Sequence, residues 1–220
     1  MNLQNILDSF SDFESEEMQA CHDVWSEVSM QVQVLKLDQN GITDEAKREF
    51  ILKQLRVRPT FLTHAAKKVF SAKGSCHFAE VGTAEGLQSI MIAKNVPGSQ
   101  VFTCDIRDVR NKMFHDLDNI KFVAGNSKDL CETLKTSPPL DFCWIDGSHD
   151  HYAVVDDFLS LFSSTNENTI WAFDDFDKRF GCYHDLNLLA SHFSDVRVMD
   201  FGSTASGNPS CILLATGCKV

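Results

Sequence analysis

The stretch HFAEVGTAEGL, His77–Leu87, decides the fold of this chain. Its first half predicts a short buried strand over 76–81, because apolar residues run almost continuously up to a glycine. A tight turn over 82–86 follows, and apolar residues then recur at helical spacing. A glycine turn between a strand and a helix lets the backbone approach a ligand closely, while the free N–H groups of the helix start face it. The stretch therefore predicts a nucleotide-type binding site.

The spacing of the glycines separates two kinds of nucleotide site. Dinucleotide-binding turns have the pattern GxGxxG, whereas Gly82 and Gly86 are four residues apart and Glu80 precedes the first by two. This ExGxxxG pattern resembles motif I of the class I S-adenosylmethionine-dependent methyltransferases. The resemblance implies that Glu80, Gly82, Thr83 and Gly86 contribute to a site beside the methionine part of that cofactor. A nicotinamide dehydrogenase is the least favoured enzyme class.

Length and composition exclude several other classes. With 220 residues, 43% of them hydrophobic and 23% charged, the chain suits one well-buried domain. Its net charge of -11 repels polyanions, so a nucleic-acid partner is disfavoured. The eight cysteines form no CxxC pair, which favours small core residues in a reducing compartment over disulfides or zinc ligands. No signal peptide or membrane span is recognisable, so a cytoplasmic location is expected.

The chain divides into two predicted units. Residues 1–58 predict an N-terminal helical extension that serves as a lid or an oligomerisation element, and residues 59–220 predict the cofactor-binding domain. A helix that begins near Thr43 is expected to end near Pro59, since proline breaks a helix interior. A second helix would follow and stop at Gly74.

After Cys76 the predicted strands and helices alternate strictly. The strands are predicted over 76–81, 101–104, 120–124, 140–145 and 169–173, with helices over 85–95, near 109–117, and over 128–135, 151–162 and 181–193. Two closing strands, 196–201 and 211–215, flank a turn rich in glycine, serine, asparagine and proline. This order predicts an α/β fold with a doubly wound, mostly parallel sheet, helices on both faces and an antiparallel edge. The closing pair fits the seven-stranded Rossmann-like sheet of methyltransferases.

Ligands of such sheets bind beyond the carboxyl ends of the strands, so those ends indicate the site. The second strand ends in Asp105, about 20 residues beyond the glycine turn, where a carboxylate usually accepts hydrogen bonds from ribose hydroxyls. After the third strand, Gly125-Asn126-Ser127 resembles the GDS turn that flanks the adenine in this family, with Asn126 in place of the aspartate. The alternative for Asp105, Asn126 and Ser127 is that they are ordinary turn residues.

The fourth and fifth strands end in acidic residues. In DFCWIDGSHDHYAVVDD, 141–157, a buried strand ends at Asp146, and the next strand ends at Asp174 and Asp175. Two carboxylates 4 Å apart repel by about 4 kcal/mol at an effective dielectric of 20, so the cluster needs protonation or a cation. Oxygen donors with room for water are typical of a Mg²⁺ site, and no cysteine or histidine pattern favours zinc.

The IDGSH block and the DD pair narrow the resemblance to the small-molecule O-methyltransferases grouped with macrocin and mycinamicin sugar methyltransferases, and more distantly to catechol O-methyltransferase. It covers roughly residues 60–216. It implies that Asp146, Asp174 and Asp175 bind Mg²⁺, which holds two substrate oxygens, and that Asp146 also contacts the cofactor. It implies that His149 is the general base, although a loop histidine facing water is the alternative.

The sequence thus predicts an S-adenosylmethionine-dependent O-methyltransferase that acts on a hydroxyl of a small molecule, with a sugar or glycoside favoured over a catechol. Neither nucleic acid nor membrane is an expected partner, and the homo-oligomeric state stays open. Two alternatives remain. One is a metal-independent methyltransferase in which the acidic pair only positions substrate or cofactor. The other is a non-catalytic nucleotide-binding module. The acceptor itself is not readable, because specificity is expected from residues 1–58 and the loops 175–183 and 202–210.

Overall fold

The chain has a helical first third followed by alternating strands and helices. The computed structural model describes residues 2–10, 16–110, 112–203 and 209–219. The α-helices are α1 Leu3–Ser9, α2 Glu16–Trp25, α3 Gln31–Gln39, α4 Glu45–Lys73, α5 Leu87–Asn95, α6 Ser127–Leu134, α7 Ala153–Phe162 and α8 Tyr183–Ala190. A π-helix spans Ser26–Met30, and a 3₁₀ helix spans Lys112–Asp116. The strands are β1 Cys76–Val81, β2 Ser99–Asp105, β3 Ile120–Ala124, β4 Phe142–Ile145, β5 Ile170–Phe173, β6 Phe193–Ser203 and β7 Pro209–Cys218. Within these described ranges, every helix is too short or too polar to cross a membrane.

The strands form one seven-stranded sheet in the order β3-β2-β1-β4-β5-β7-β6. The strands β1 to β5 pair in parallel, whereas β7 runs antiparallel to both β5 and β6. The predicted parallel sheet with an antiparallel edge is confirmed. Strand order reverses between β1 and β4, and a reversal of this kind opens a crevice at the carboxyl ends of the two strands.

The register of the sheet sets the level of the acidic residues. Val81 of β1 pairs with Ile145 of β4, and Ile145 pairs with Phe173 of β5. The next residue of β4 is Asp146, and the next residue of β5 is Asp174. The two carboxylates therefore leave neighbouring strands at the same height.

Apolar side chains of the strands cover both faces of the sheet, as β4 shows. Phe142 and Trp144 pack with α1, α4 and α5 on one face, while Cys143 and Ile145 pack with α6, α7 and α8 on the other. Successive side chains of a strand point to opposite faces, and a run that is buried on both faces lacks polar alternation. The prediction of helices on both faces is confirmed.

The predicted end of a helix near Pro59 is wrong. Helix α4 runs unbroken over Glu45–Lys73, from an Asp44 cap that accepts a hydrogen bond from the Lys47 N–H at 2.8 Å to Gly74 at φ +76°. An interior proline costs about 3 kcal/mol, but Pro59 and the following residues, Thr60 to Ala66, are buried against the sheet, and this burial offsets the cost. Because α4 crosses residues 58 and 59, the two predicted units share one helix.

The N-terminal helices pack against the sheet and the helices that cover it. Leu3 and Ile6 of α1 are completely or almost completely buried beside Phe61 of α4. Trp25 of α2 packs with Met91 of α5. Helices α1 and α2 thus pack against the domain that follows, in two separate apolar clusters. Whether they act as a lid stays a prediction.

Other boundaries differ from the prediction in detail. The helix expected near 109–117 is a single 3₁₀ turn over Lys112–Asp116, and the closing strands are longer than predicted. Strand β6 extends because it pairs with β7 from Phe193↔Cys218 onward, which is a non-local contact that local propensity does not reveal. Residues 204–208 of the predicted loop 202–210 lie outside the described residues.

Candidate active site

The two motif glycines are required by their neighbours in the fold. Gly82 has φ +96°, and a Cβ there would stand 2.0 Å from the carbonyl oxygen of Asp146. Gly86 has φ +84°, and a Cβ there would stand 2.5 Å from the ring of Phe114. Both positions favour glycine, because L side chains rarely adopt positive φ. The glycine turn is therefore fitted closely to the end of β4 as well as open toward a ligand.

Glu80 lies beneath this turn and is 2% exposed. Ser89 and Thr103 both donate hydrogen bonds to its Oε2, and the hydroxyls of Thr103 and Thr83 are 2.6 Å apart. Burial raises the pKa of Glu80 from 4.5 to about 7, although the two hydrogen bonds oppose this shift. Glu80 thus joins β1, β2 and α5 below the turn.

Asp105 closes the turn from the side of β2. Its Oδ2 accepts a hydrogen bond from the Ala84 N–H at 2.9 Å, and its Oδ1 accepts one from the Arg107 N–H at 2.9 Å. Each carboxylate oxygen can accept two hydrogen bonds, so Asp105 keeps acceptor capacity for a ligand hydroxyl.

Asn126 begins α6. Its Oδ1 accepts hydrogen bonds from the N–H groups of Lys128 and Asp129, and its own N–H donates to Asp129 Oδ2 at 2.9 Å. This reciprocal pattern is a capping box. The hydroxyl of the buried Ser127 hydrogen-bonds Asp157. Asn126 and Ser127 thus have structural roles in addition to any contact with a ligand.

A cleft of about 600 Å³ opens at the carboxyl ends of β1, β2, β3 and β4. The predicted cofactor residues that line it are Gly82, Asp105, Asn126, Ser127 and Asp146. Sequence reasoning missed Ile106, which also lines the cleft and is 80% exposed. The available signal was an apolar residue directly after the acidic residue that ends β2.

A second cavity of about 200 Å³ adjoins this cleft, since Gly82 and Asp146 line both. Glu80 and Thr83 line the second cavity, whereas Gly86 lines neither of these two spaces in the described part of the chain. The helices before β1 supply one wall, through Trp25, Ser29, Gln33, Leu55 and Arg58. The smaller cavity is therefore bounded by both predicted units.

His149 lies at the carboxyl ends of β4 and β5 and is paired with Asp175. Its Nδ1 is 3.1 Å from Asp175 Oδ2, its side chain is 41% exposed, and its ring centroid is 5.4 Å from that of Phe180. Burial and the charge of Asp174 raise the pKa of Asp175 to about 6, and the neighbouring His149 opposes this shift. Asp175 thus faces the imidazole.

Arg58 of α4 is the residue that sequence reasoning missed most clearly. Its guanidinium donates a hydrogen bond from Nη1 to Asp174 Oδ2, and the Asp174 side chain is 4% exposed. Burial lowers the pKa of Arg58, but the charges of Asp174 and Asp146 outweigh burial and raise it. Burial and the charge of Asp174 also raise the pKa of Asp146. An arginine that is about 120 residues before its partner, outside any motif, gives no sequence signal.

The three carboxylates that were predicted to bind Mg²⁺ do not fit a metal site in this structure. The structure places Asp146, Asp174 and Asp175 at neighbouring strand ends, but Asp174 is bonded to Arg58 and Asp175 to His149. Within the described ranges, no group of three or more histidine, cysteine, aspartate or glutamate side chains is arranged to hold a metal ion. A cationic side chain thus pairs with one of the three carboxylates that were expected to bind the metal.

Comparison with known families identifies the domain that holds this site. Residues 79–176 match the family model described as a methyltransferase domain. They form a methyltransferase domain. The match begins in β1 and ends just after β5, so it includes the glycine turn, Asp105, His149 and the acidic strand ends. The prediction of a class I S-adenosylmethionine-dependent methyltransferase is confirmed.

Solved structures share the fold of this methyltransferase. The O-methyltransferase TomG from Streptomyces achromogenes, in complex with S-adenosylmethionine, is 16% identical with a TM-score of 0.56 over 84% of this chain and 96% of that chain. The methyltransferase MycE of mycinamycin biosynthesis, in complex with Mg and S-adenosylhomocysteine, is 16% identical with a TM-score of 0.53 over 72% and 50%. The N-methyltransferase NodS from Bradyrhizobium japonicum WM9 is 12% identical with a TM-score of 0.58 over 76% and 98%. A search of curated protein sequences finds no match.

Proposed function

We propose that this methyltransferase transfers a methyl group to a hydroxyl of a small molecule, with His149 as the general base. The observation that carries the proposal is the pair His149–Asp175 at the carboxyl ends of β4 and β5, in which His149 directly follows Ser148 of the cleft wall. A histidine held by a carboxylate is the usual arrangement of a proton acceptor.

The larger cleft would hold the cofactor. Asp105 would accept hydrogen bonds from ribose hydroxyls, and the adenine would lie between Ile106 and the turn at Asn126-Ser127. The methionine part would reach Gly82, where the cleft meets the smaller cavity. When bound, the cofactor supplies a methyl group on a sulfonium for in-line displacement.

His149 would remove the proton that makes an alcohol a poor nucleophile. Asp175 would accept the hydrogen bond of the Nδ1–H, which leaves Nε2 as the proton acceptor. A positioned base of this kind typically contributes about 10²- to 10⁴-fold to the rate. Because a neutral amine already offers a lone pair, the histidine pair favours O-methylation over the N-methylation named for NodS.

The acceptor would be a sugar, a glycoside or another small hydroxyl compound. Its place would be near the smaller cavity, where Ser29, Gln33 and Gln88 provide polar side chains. The net charge of -11 disfavours polyanionic acceptors. MycE, which shares the fold, comes from the mycinamycin pathway.

A requirement for Mg²⁺ has weaker support than the role of His149 as the general base. MycE was crystallised with Mg, but in this chain Asp174 is bonded to Arg58 and Asp175 is paired with His149. These pairs favour the alternative of a metal-independent methyltransferase. The pair at His149 also disfavours a non-catalytic module. The cytoplasmic location and the oligomeric state stay predictions.

The test combines cofactor binding with two histidine variants. S-adenosylmethionine and S-adenosylhomocysteine are titrated into the protein by calorimetry in EDTA, and methyl transfer to a panel of sugars and diols is then measured. His149→Ala should lower kcat by about 10²-fold or more, while cofactor affinity stays within about twofold of the original value. His151→Ala is the matched control, since His151 is two residues away and 60% exposed.

Two results would contradict the proposal. A protein that binds neither cofactor form is not the proposed enzyme. Unchanged kcat in His149→Ala would remove His149 as the base while leaving the methyltransferase assignment in place.

A further inference from the structure

Arg58 brings a permanent positive charge to the acidic strand ends. It hydrogen-bonds the buried carboxylate of Asp174, and its guanidinium carbon lies 5.9 Å from the centre of the Trp144 ring. The charges of Asp146 and Asp175 also act on it. A single arginine therefore hydrogen-bonds one of the three carboxylates that the sequence assigned to a metal and interacts electrostatically with the other two.

We propose that Arg58 takes the place of a divalent cation in this methyltransferase, so that its guanidinium neutralises the carboxylates at the ends of β4 and β5. The inference deepens the proposed function, on which its meaning for the reaction rests. Arg58 is a positioning residue in this view, because it acts through Asp174. Metal binding can be measured without methyl transfer, so a failure of this inference is distinguishable from a failure of the proposed function.

The fold holds this guanidinium in place. Arg58 precedes Pro59 in the middle of α4, and the helix from Pro59 to Ala66 is buried against the sheet. The face of Trp144 adds a cation–π contact. Arginine also stays charged at every ordinary pH. The charge is thus built into the fold through a rigid helix.

The same arrangement excludes a metal ion. A divalent cation that binds Asp174 would stand close to the guanidinium, and like charges repel strongly in a partly buried site. One oxygen of Asp174, Oδ1, has no hydrogen-bond partner among the described residues. Without Arg58, Oδ2 of Asp174 would lose its hydrogen bond from the guanidinium, and both oxygens would lie at the same sheet level as Asp146. Such oxygen pairs are the donors that Mn²⁺ and Mg²⁺ prefer.

The experiment measures Mn²⁺ binding by calorimetry and by electron paramagnetic resonance. The original chain should bind Mn²⁺ no more tightly than about 1 mM, and Arg58→Gln should bind it at least about tenfold more tightly, because the repelling charge is gone. Arg58→Lys, which keeps the charge, should behave as the original chain. Arg48→Ala is a control on the same helix, since Arg48 pairs with the exposed Asp38.

The double variant Arg58→Gln/Asp174→Asn assigns the bound ion to this site and should lose the added Mn²⁺ affinity. Circular dichroism and thermal melting check that each variant is folded. If Arg58→Gln does not fold, Mn²⁺ binding to the original chain still tests the inference. Micromolar Mn²⁺ binding to the original chain that Asp174→Asn abolishes would overturn the inference, as would a folded Arg58→Gln variant that gains no affinity.

Discussion

Replacing Glu80 by glutamine should change how the stability of the fold depends on pH. Glu80 is 2% exposed, and its Oε2 accepts hydrogen bonds from Ser89 and Thr103. The amide oxygen of glutamine can accept both of these bonds, so the substitution removes the titration and keeps the shape. The variant therefore isolates the cost of burying a charge beneath the glycine turn.

The magnitude follows from the shift of the pKa. Burial raises the pKa of Glu80 from 4.5 to about 7. A folded-state pKa above the unfolded value means that the folded state holds the proton more tightly, so the stabilisation is complete below pH 4.5 and is lost as the pH rises through 7. At 1.36 kcal/mol per unit, the loss across this window is about 3 kcal/mol.

Urea unfolding of both proteins at intervals between pH 4 and pH 8 measures this loss of stability. The difference in the free energy of unfolding, Glu80→Gln minus the original chain, should rise with pH by about 3 kcal/mol and then level off. Subtracting the two curves removes the titration of all other groups. A difference that stays flat across the window would refute the reasoning, because it would mean that Glu80 is ionised in the fold at the same pH as in the unfolded chain.

Two further substitutions test the glycine turn and the histidine pair. Gly82→Ala should destabilise the fold by about 3 kcal/mol or more and abolish cofactor binding, because its Cβ would meet the Asp146 backbone at 2.0 Å and positive φ is strained for alanine. Gly41→Ala is the control, because Gly41 has φ +67° and nothing lies within 4 Å of its added Cβ. Thermal melts should show only the backbone strain, about 1 kcal/mol of stability. Equal losses of stability at both glycines would contradict the steric argument. Methyl transfer should fall as the pH drops through about 6, where Asp175 gains a proton and loses the negative charge that orients and stabilises the His149 imidazole, and Asp175→Asn should be slow at all pH values. Wild-type activity in Asp175→Asn would remove this carboxylate from the mechanism.

The sheet was predictable because local patterns and global topology agree there. Short apolar runs such as Phe142 to Ile145 predict central strands of a sheet covered on both faces, and each ends at a polar residue. Parallel strands bring those ends to one edge, so the sequence predicts that the site lies there, with Asp146, Asp174 and Asp175 close together. The cleft gathers Gly82, Asp105 and Asp146 as this reasoning requires.

Pairings between distant side chains were not predictable from the same patterns. The acidic strand ends signal that a positive charge is needed, and the resemblance suggested a metal ion. The structure shows instead Arg58 bonded to Asp174 and His149 beside Asp175. The rule that buried charges are paired holds, but the rule does not identify the partner.

Helix α4 explains why the partner was missed and why it matters. Pro59 reads as a helix end in sequence, so residues 1–58 look separable from the domain that follows. In the fold α4 continues through Pro59, since burial against the sheet outweighs the lost hydrogen bond. That continuity fixes Arg58 at the end of β5 and places Leu55 in the wall of the smaller cavity. A chain cut before residue 59 would therefore lose the counter-charge of Asp174 as well as part of its core, so we expect it to lose the site as well.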